Sequence, residues 1–526
     1  MRKWPMANLM QVTRDAGWNF AAMAVSAVMV FLVTPPLLRA LGPDHYGLVV
    51  LFIALSAPLL ALGAGVGQAM VRNVASAIAR ADRGPVMGSI RWAVISNTVA
   101  AGALALPAIA LAPWIIRVFA GAPVGGPGGA ISALIVAAAA WPVTLLAVMV
   151  QSLPTAVHRF DLQAYGVIFI SGLGPFAGLC MVWAGYGVLG YFIAQLLVQF
   201  VGMAVWTVIA SRLGFPMLQA CTSAAPVPQG WWRYVLWTAV GGVGGLLAGQ
   251  TDKFVLAATL PSSAVAFFGI AQSVEQKVYL IGYKFAEALF PTFSASSETE
   301  ARAQRGRVLV RSSWMLTATS GSLLAALAIL APDLLTLWLR GSYDPSIARV
   351  LTILCVAGII GSATNVVAFY LLGSGRVGWA TASSIATGSV VVIGSLILIP
   401  IFGLDGAGVS NILAMVVQLV VGIAMWWALL RDDLSLSEFA SATSVPVVLT
   451  LAIVTVGVIL KGPRCWFSSW VGALGAGVVI AGVTFSVLCC IDHFLPGGRV
   501  RDADRQKLLA VPFSWVKGRL TSRGTG

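Results

Sequence analysis

Residues 246–291 read LLAGQTDKFVLAATLPSSAVAFFGIAQSVEQKVYLIGYKFAEALFP, and the reading of this stretch decides the fold. Most of it is apolar enough to lie in a bilayer. Yet it carries Asp252, Lys253, Glu275, Lys277, Lys284 and Glu287. A charged side chain near a bilayer centre costs roughly 2.5–3.5 kcal/mol on insertion scales. Lipid gives such residues no partner, so they face a bundle interior or a water-filled cavity. The stretch therefore reads as two helices lining a wet path through a membrane protein.

Composition points the same way. Of the 526 residues, 59% are hydrophobic and only 10% charged, and the mean hydropathy is +0.92. A soluble domain carries about 25% charged residues. The expected fold is an all-α polytopic membrane protein. A net charge of +14 in a soluble protein would suggest nucleic acid. Here it reflects loops that collect Lys and Arg on the cytoplasmic side, so membrane lipids are the expected partner and nucleic acid is not. Met1–Asp15 is polar and basic and precedes an apolar run long enough to span, so no cleavable signal peptide is expected.

A helical span needs about 20 apolar residues, and the apolar runs allow about fourteen transmembrane helices. Lys and Arg concentrate in the N-terminal tail, residues 71–91, 211–233 and 292–313, and the C-terminal tail. The alternate loops carry Arg39, Arg117, Arg340, Arg349, Lys461 and Arg464. This asymmetry places both termini in the cytoplasm. The linkers that end at Trp92 and Trp314 are similar in length and basicity. Leu41-Gly42-Pro43…Tyr46-Gly47 parallels Leu260-Pro261…Phe268-Gly269. The implied organisation is a parallel repeat of two six-helix lobes, residues 1–233 and 234–431. Two C-terminal helices follow over 432–491, then a basic cytoplasmic tail over 492–526.

At about 100° per residue, Gln272, Gln276, Tyr279 and Tyr283 share one helical stripe, with Glu287 at its margin. Lys277 and Lys284 share a second stripe. With Lys253 they make a cationic, hydrogen-bonding wall suited to an anionic, hydroxyl-rich ligand. Asp252, Glu275 and Glu287 serve either ion coupling or ion pairs that hold helices together. Asn19 faces the cavity or bonds a neighbouring helix. Arg72 snorkels at the cytoplasmic rim, where it can also meet a phosphate. Gly241-Gly242-Val243-Gly244-Gly245 is a close-packing face or a hinge. Pro35-Pro36 ends or kinks the first span. Trp92, Trp114, Trp231, Trp232 and Trp338 read mostly as an interface belt. The cysteines and histidines show no metal-ligand spacing, and no P-loop or nucleophile–base motif appears. Neither an enzyme nor a cofactor is expected.

Arg39-Ala40-Leu41-Gly42-Pro43…Tyr46-Gly47, followed by Gly63…Gly65…Gly67-Gln68-Ala69…Arg72, resembles the first two helices of Wzx-type polysaccharide flippases. Thr251-Asp252-Lys253, Phe267-Phe268-Gly269-Ile270-Ala271 and Ala288-Leu289-Phe290-Pro291 resemble the seventh and eighth. The resemblance implies the multidrug/oligosaccharidyl-lipid/polysaccharide exporter superfamily, with two lobes around a cationic cavity. It implies movement of an undecaprenyl-diphosphate-linked oligosaccharide to the outer leaflet of a bacterial inner membrane. It also implies a polysaccharide polymerase and other assembly proteins as partners. The alternatives are an ion-coupled small-molecule or multidrug antiporter of the same superfamily, and a membrane polysaccharide polymerase or ligase. A polymerase or ligase usually wants a sizeable outer loop with acidic or Arg/His residues, and this sequence shows none.

Overall fold

The computed structural model describes residues 9–79, 84–119, 127–157, 159–215, 217–223, 225–288, 299–373, 377–429, 436–462 and 465–494. They are helical with no strand among them. The long helices are α1 (Leu9–Leu55), α2 (Ala57–Ala79), α3 (Gly84–Ala110), α5 (Pro127–Ser152) and α8 (Gly187–Arg212), with short helices α4 (Ala112–Phe119), α6 (Phe160–Ile168), α7 (Gly174–Met181) and α9 (Met217–Thr222) between them. Then come α10 (Trp231–Thr259), α11 (Ser262–Ala288), α12 (Thr299–Leu339), α13 (Pro345–Gly373), α14 (Val377–Phe402), α15 (Leu404–Leu429), α16 (Leu436–Lys461) and α17 (Trp470–Phe494).

Ten stretches among the described residues are long and apolar enough to cross a membrane. This is a multi-pass, all-α membrane protein. Two of the ten, Ala21–Ile78 and Phe160–Arg212, run to 58 and 53 residues, far beyond the roughly 20 of one pass, and each contains a break. The charged helices α10 and α11 fall outside the ten, which by themselves do not make fourteen passes.

The breaks follow from sequence. Gly42 sits at φ 75°, ψ 165°, a conformation that a Cβ disfavours, and Pro43 restarts the helix where a missing N–H costs nothing. Pro35-Pro36 does not end the first helix, which continues to Gly42. Pro35 leaves the Phe31 carbonyl without its helical donor. Trp338 Nε1 donates to that carbonyl at 2.7 Å, and the two rings stack with centroids 4.7 Å apart. Trp338 is therefore packed rather than part of an interface belt. Trp231 is also buried and donates to Ser96 Oγ at 3.3 Å, whereas Trp114 and Trp232 are exposed.

The chain forms two compact units. One comprises Met1–Ser273, Trp338–Val350 and Thr381–Ala414; the other comprises Val274–Leu337, Leu351–Ala380 and Met415–Gly526. The first has a core around Met70, Ile90, Met149, Trp206 and Trp231, and an alanine-rich one around Ala101, Ala138 and Trp141. The second packs Leu309, Trp314, Val366, Phe369, Trp426 and Leu488. Small residues suit a bilayer, where association depends on close packing rather than exclusion of water.

In the first unit, the part of α1 after Gly42 lies against the start of α11. Asp44 Oδ1 accepts the Ser263 N–H at 3.1 Å, satisfying a donor at the helix N-terminus. A Cβ on Gly47 would collide with the Ser262 carbonyl, and one on Gly269 would lie 2.6 Å from Val50 Cγ1. Gly47→Ala meets backbone, which cannot rotate away. It is expected to cost about 1–3 kcal/mol, read as a lower unfolding midpoint of the purified protein. An unchanged midpoint would refute this packing.

Candidate functional site

Glycine brings the first polar cluster together. A Cβ on Gly244 of α10 would lie 2.5 Å from the Ser384 carbonyl carbon of α14, and one on Gly388 would lie 2.6 Å from the Gly244 oxygen. The glycine run is thus a face for close helix contact. Asp252 lies eight residues along α10 from Gly244, about 12 Å at helical rise, which places it beside Ser395 on α14 and the start of α15. Ser395 Oγ donates to Asp252 Oδ1 at 2.6 Å, and Ser410 Oγ approaches the same oxygen at 3.4 Å. Asn411 Nδ2 donates to Oδ2 at 2.8 Å. Asp252, Ser395 and Ser410 are fully buried. A buried carboxylate needs such donors, because otherwise desolvation is uncompensated.

Lys253 points elsewhere. Its Nζ donates to Gln250 Oε1 at 2.8 Å and to the Gly249 carbonyl at 3.2 Å, and the residue is only 8% exposed. Neither Asp252 nor Lys253 forms an ion pair among the described residues. Lys253 is thus a nearly buried cation held by neutral acceptors.

The second cluster lies in the other unit, on the stripe Glu275, Tyr279, Gly282 of α11. These positions recur every three or four residues and face α12 and α13. Gly358 of α13 admits Glu275: a Cβ there would lie 2.6 Å from Glu275 Oε1 and 3.0 Å from Leu324 Cδ1. Tyr279 Oη donates to Asn365 Oδ1 at 2.7 Å. Gly282 approaches Ser320 too closely to carry a Cβ. Glu275 is 8% exposed and has no hydrogen-bond or ion-pair partner among the described residues.

The other expected site residues divide. Gln272 is buried. Gln276 is exposed and Lys277 half-buried. Tyr283 is exposed and meets Phe369 edge-on, centroids 5.1 Å apart. The four-residue stripe read from periodicity therefore splits, with Tyr279 turned into helix packing and Gln276 turned out. Arg72 is exposed, its guanidinium 5.2 Å from the Tyr234 ring centroid. The side chains of Asn19, Lys284 and Glu287 lie outside the described part.

Sequence reading missed Ser395, Ser410, Asn411 and Asn365. Their signal is a polar residue inside an apolar run. It is weak, since such residues also serve their own helix: Ser410 and Asn411 both donate to the Ala407 carbonyl, at 2.8 and 2.9 Å.

Residues 37–370, well over half the chain, match the family model described as "Polysaccharide biosynthesis protein". No curated protein matches the chain in sequence. Among solved structures, it is similar to one described as "Lipid II flippase MurJ, inward closed conformation", with a TM-score of 0.66 and 12% identity over 90% of this chain and 97% of that one. It is also similar to the inward-facing conformation of a multidrug resistance MATE family transporter of the MOP superfamily. There the TM-score is 0.61 and the identity 17%, over 77% of this chain and 96% of that one. The outward-facing conformation gives a TM-score of 0.59 at 16% identity, over 80% and 96%. At such identities the likeness is one of fold, while the match over residues 37–370 is one of sequence: the chain belongs to the polysaccharide biosynthesis protein family.

Proposed function

We propose that the chain is a flippase for an undecaprenyl-diphosphate-linked oligosaccharide, moving its head group from the cytoplasmic to the outer leaflet of a bacterial inner membrane for surface polysaccharide. Two six-helix lobes, residues 1–233 and 234–431, alternate access around the path, and both termini are cytoplasmic. The observation that carries this reading is Lys253, a nearly buried cation whose partners are neutral, in a member of a polysaccharide biosynthesis family. A diphosphate cannot cross hydrocarbon unaided, and a cation whose hydrogen bonds go only to neutral acceptors can exchange them for its oxygens. Lys277, half-buried on α11, and Lys284 supply further cations, and Gln272, Tyr283 and Asn19 add polar groups. Asp252, Glu275 and Glu287 serve coupling or pairing. A polysaccharide polymerase takes the product.

The test replaces Lys253 and Lys277 by Ala, Arg and Glu and scores surface polysaccharide in cells lacking their own flippase, with protein abundance measured alongside. Ala and Glu are expected to lower export at least about tenfold, the equivalent of 1.4 kcal/mol, with Arg retaining part of it. Normal export by all variants would remove the cationic path. One observation favours a second reading, an ion-coupled small-molecule antiporter. Glu275 is a buried carboxylate with no cation partner among the described residues, a group that could take a proton or an organic cation. Protection of cells from cationic dyes, lost in Glu275→Gln with polysaccharide unaffected, would select it.

A further inference from the structure

A cavity of about 340 Å³ opens between the last turns of α2 and the first turns of α10. Arg72 and Asn73 line it from α2; Gln229, Arg233, Tyr234 and Trp237 line it from α10 and the residue pair before it. Among the described residues no carboxylate lines it. Arg72 rests on the Tyr234 ring, and Arg233 has no ion-pair or hydrogen-bond partner among the described residues. Two guanidinium groups therefore share one pocket with no carboxylate among the described residues to balance them. The pocket is also held in place. Trp231 bonds Ser96, Trp232 meets Trp92 edge-on at 6.1 Å, and Arg91 Nη1 donates to the Ala225 carbonyl at 3.1 Å. A ligand entering it need not order the walls first.

From this pocket a lipophilic track leads along α10. Trp232, Leu236, Val240 and Val243 succeed one another at helical spacing and are all exposed, and Trp237 beside them is 67% exposed. An arginine pair and a tyrosine suit a phosphate oxygen set. The apolar strip beside them suits a chain attached to that phosphate. We infer that the cleft between α2 and α10 binds a phosphate group carried on a lipid, its oxygens on Arg72 and Arg233 and its chain along Trp232, Leu236 and Val240. The inference stands whether or not the chain moves an oligosaccharide. The phosphate's two possible sources are a bilayer phospholipid and a polyprenyl diphosphate.

The experiment is native mass spectrometry of the purified full chain in detergent, titrated with dioleoyl-phosphatidylglycerol and with dioleoylglycerol, which lacks phosphate. The variants are R72Q, R233Q, R72K and R233K. R349Q, far along the chain, is the control. Phosphatidylglycerol is expected to bind and dioleoylglycerol not to. Each Gln variant is expected to weaken binding about tenfold, with the Lys variants, which keep the charge but lose the fork, falling between. Equal binding of the two lipids, or undiminished binding by R72Q and R233Q, overturns the site. Should a Gln variant fail to fold, the Lys variants decide alone: affinity equal to the unsubstituted protein in both overturns the placement of the phosphate oxygens on Arg72 and Arg233. Farnesyl diphosphate and inorganic pyrophosphate are then added as competitors. Displacement at lower concentration by farnesyl diphosphate assigns a polyprenyl diphosphate. Displacement by neither assigns a phospholipid. Displacement as effective by pyrophosphate overturns the lipid track.

Discussion

Lys461→Met is expected to lower the unfolding free energy by about 3–5 kcal/mol. In the second unit, Lys461 at the end of α16 pairs with Asp333 on α12, both side chains being essentially buried. Lys461 Nζ also donates to the Ile329 carbonyl at 2.8 Å. Asp333 Oδ1 meanwhile accepts the backbone N–H groups of Trp466 and Phe467, at 2.5 and 3.0 Å. One carboxylate thus ties the α16–α17 loop to α12. Removing the lysine leaves a buried charge with only backbone donors, which costs more than the pair ever contributed. In the double variant D333N/K461M the charge is gone, yet an amide oxygen still accepts from Trp466 and Phe467. It is expected to recover more than half of the loss. Denaturant unfolding of the purified protein, followed by intrinsic fluorescence, reads both. A single variant within about 0.5 kcal/mol of the unsubstituted protein would mean the pair is not buried in the working molecule.

Asp252→Ala is the second large effect, with an expected loss of roughly 2–4 kcal/mol. The substitution opens a hole between α10, α14 and α15 and strands donors on Ser395 and Asn411. The loss is tempered because Ser395 keeps Ser410 as neighbour at 3.1 Å and Asn411 keeps the Ala407 carbonyl. Asp252→Asn preserves shape and one acceptor, and is expected to lose about 1–2 kcal/mol. The comparison separates packing from charge. If D252N accumulates normally but no longer supports polysaccharide export, the negative charge is used in transport. If D252N exports normally and D252A simply disappears, the cluster is a structural joint. Equal stability of D252A and the unsubstituted protein would contradict the burial of this carboxylate.

Membrane class and helical content were legible in the sequence, whereas the end of the first helix, expected at Pro35-Pro36, falls at Gly42-Pro43. Each depends on local chemistry: apolar run length, a glycine that tolerates positive φ, a proline that lacks an N–H. The short list of charged residues that need an explanation was legible too. Their partners were not legible. Asp252 finds Ser395 at a separation of 143 residues, and Lys461 finds Asp333 at a separation of 128. Trp338, which reads as a belt residue, instead fills the carbonyl vacated by Pro35. Periodicity assigns residues to a face of one helix. It does not say which helix approaches that face, nor how near.

By itself, then, the sequence determined a multi-pass helical protein with costly charges in two of its helices, because burial of backbone and side chain in lipid leaves few other solutions. Only the tertiary structure decided that Asp252 is ringed by hydroxyl and amide donors, that Lys253 donates to neutral acceptors and that Glu275 is enclosed beside Gly358. The reason is physical. Those outcomes depend on backbone approach, set where Gly244 meets Ser384 and where Gly358 and Gly282 make room, and close approach is a property of two surfaces rather than of either strand of sequence alone.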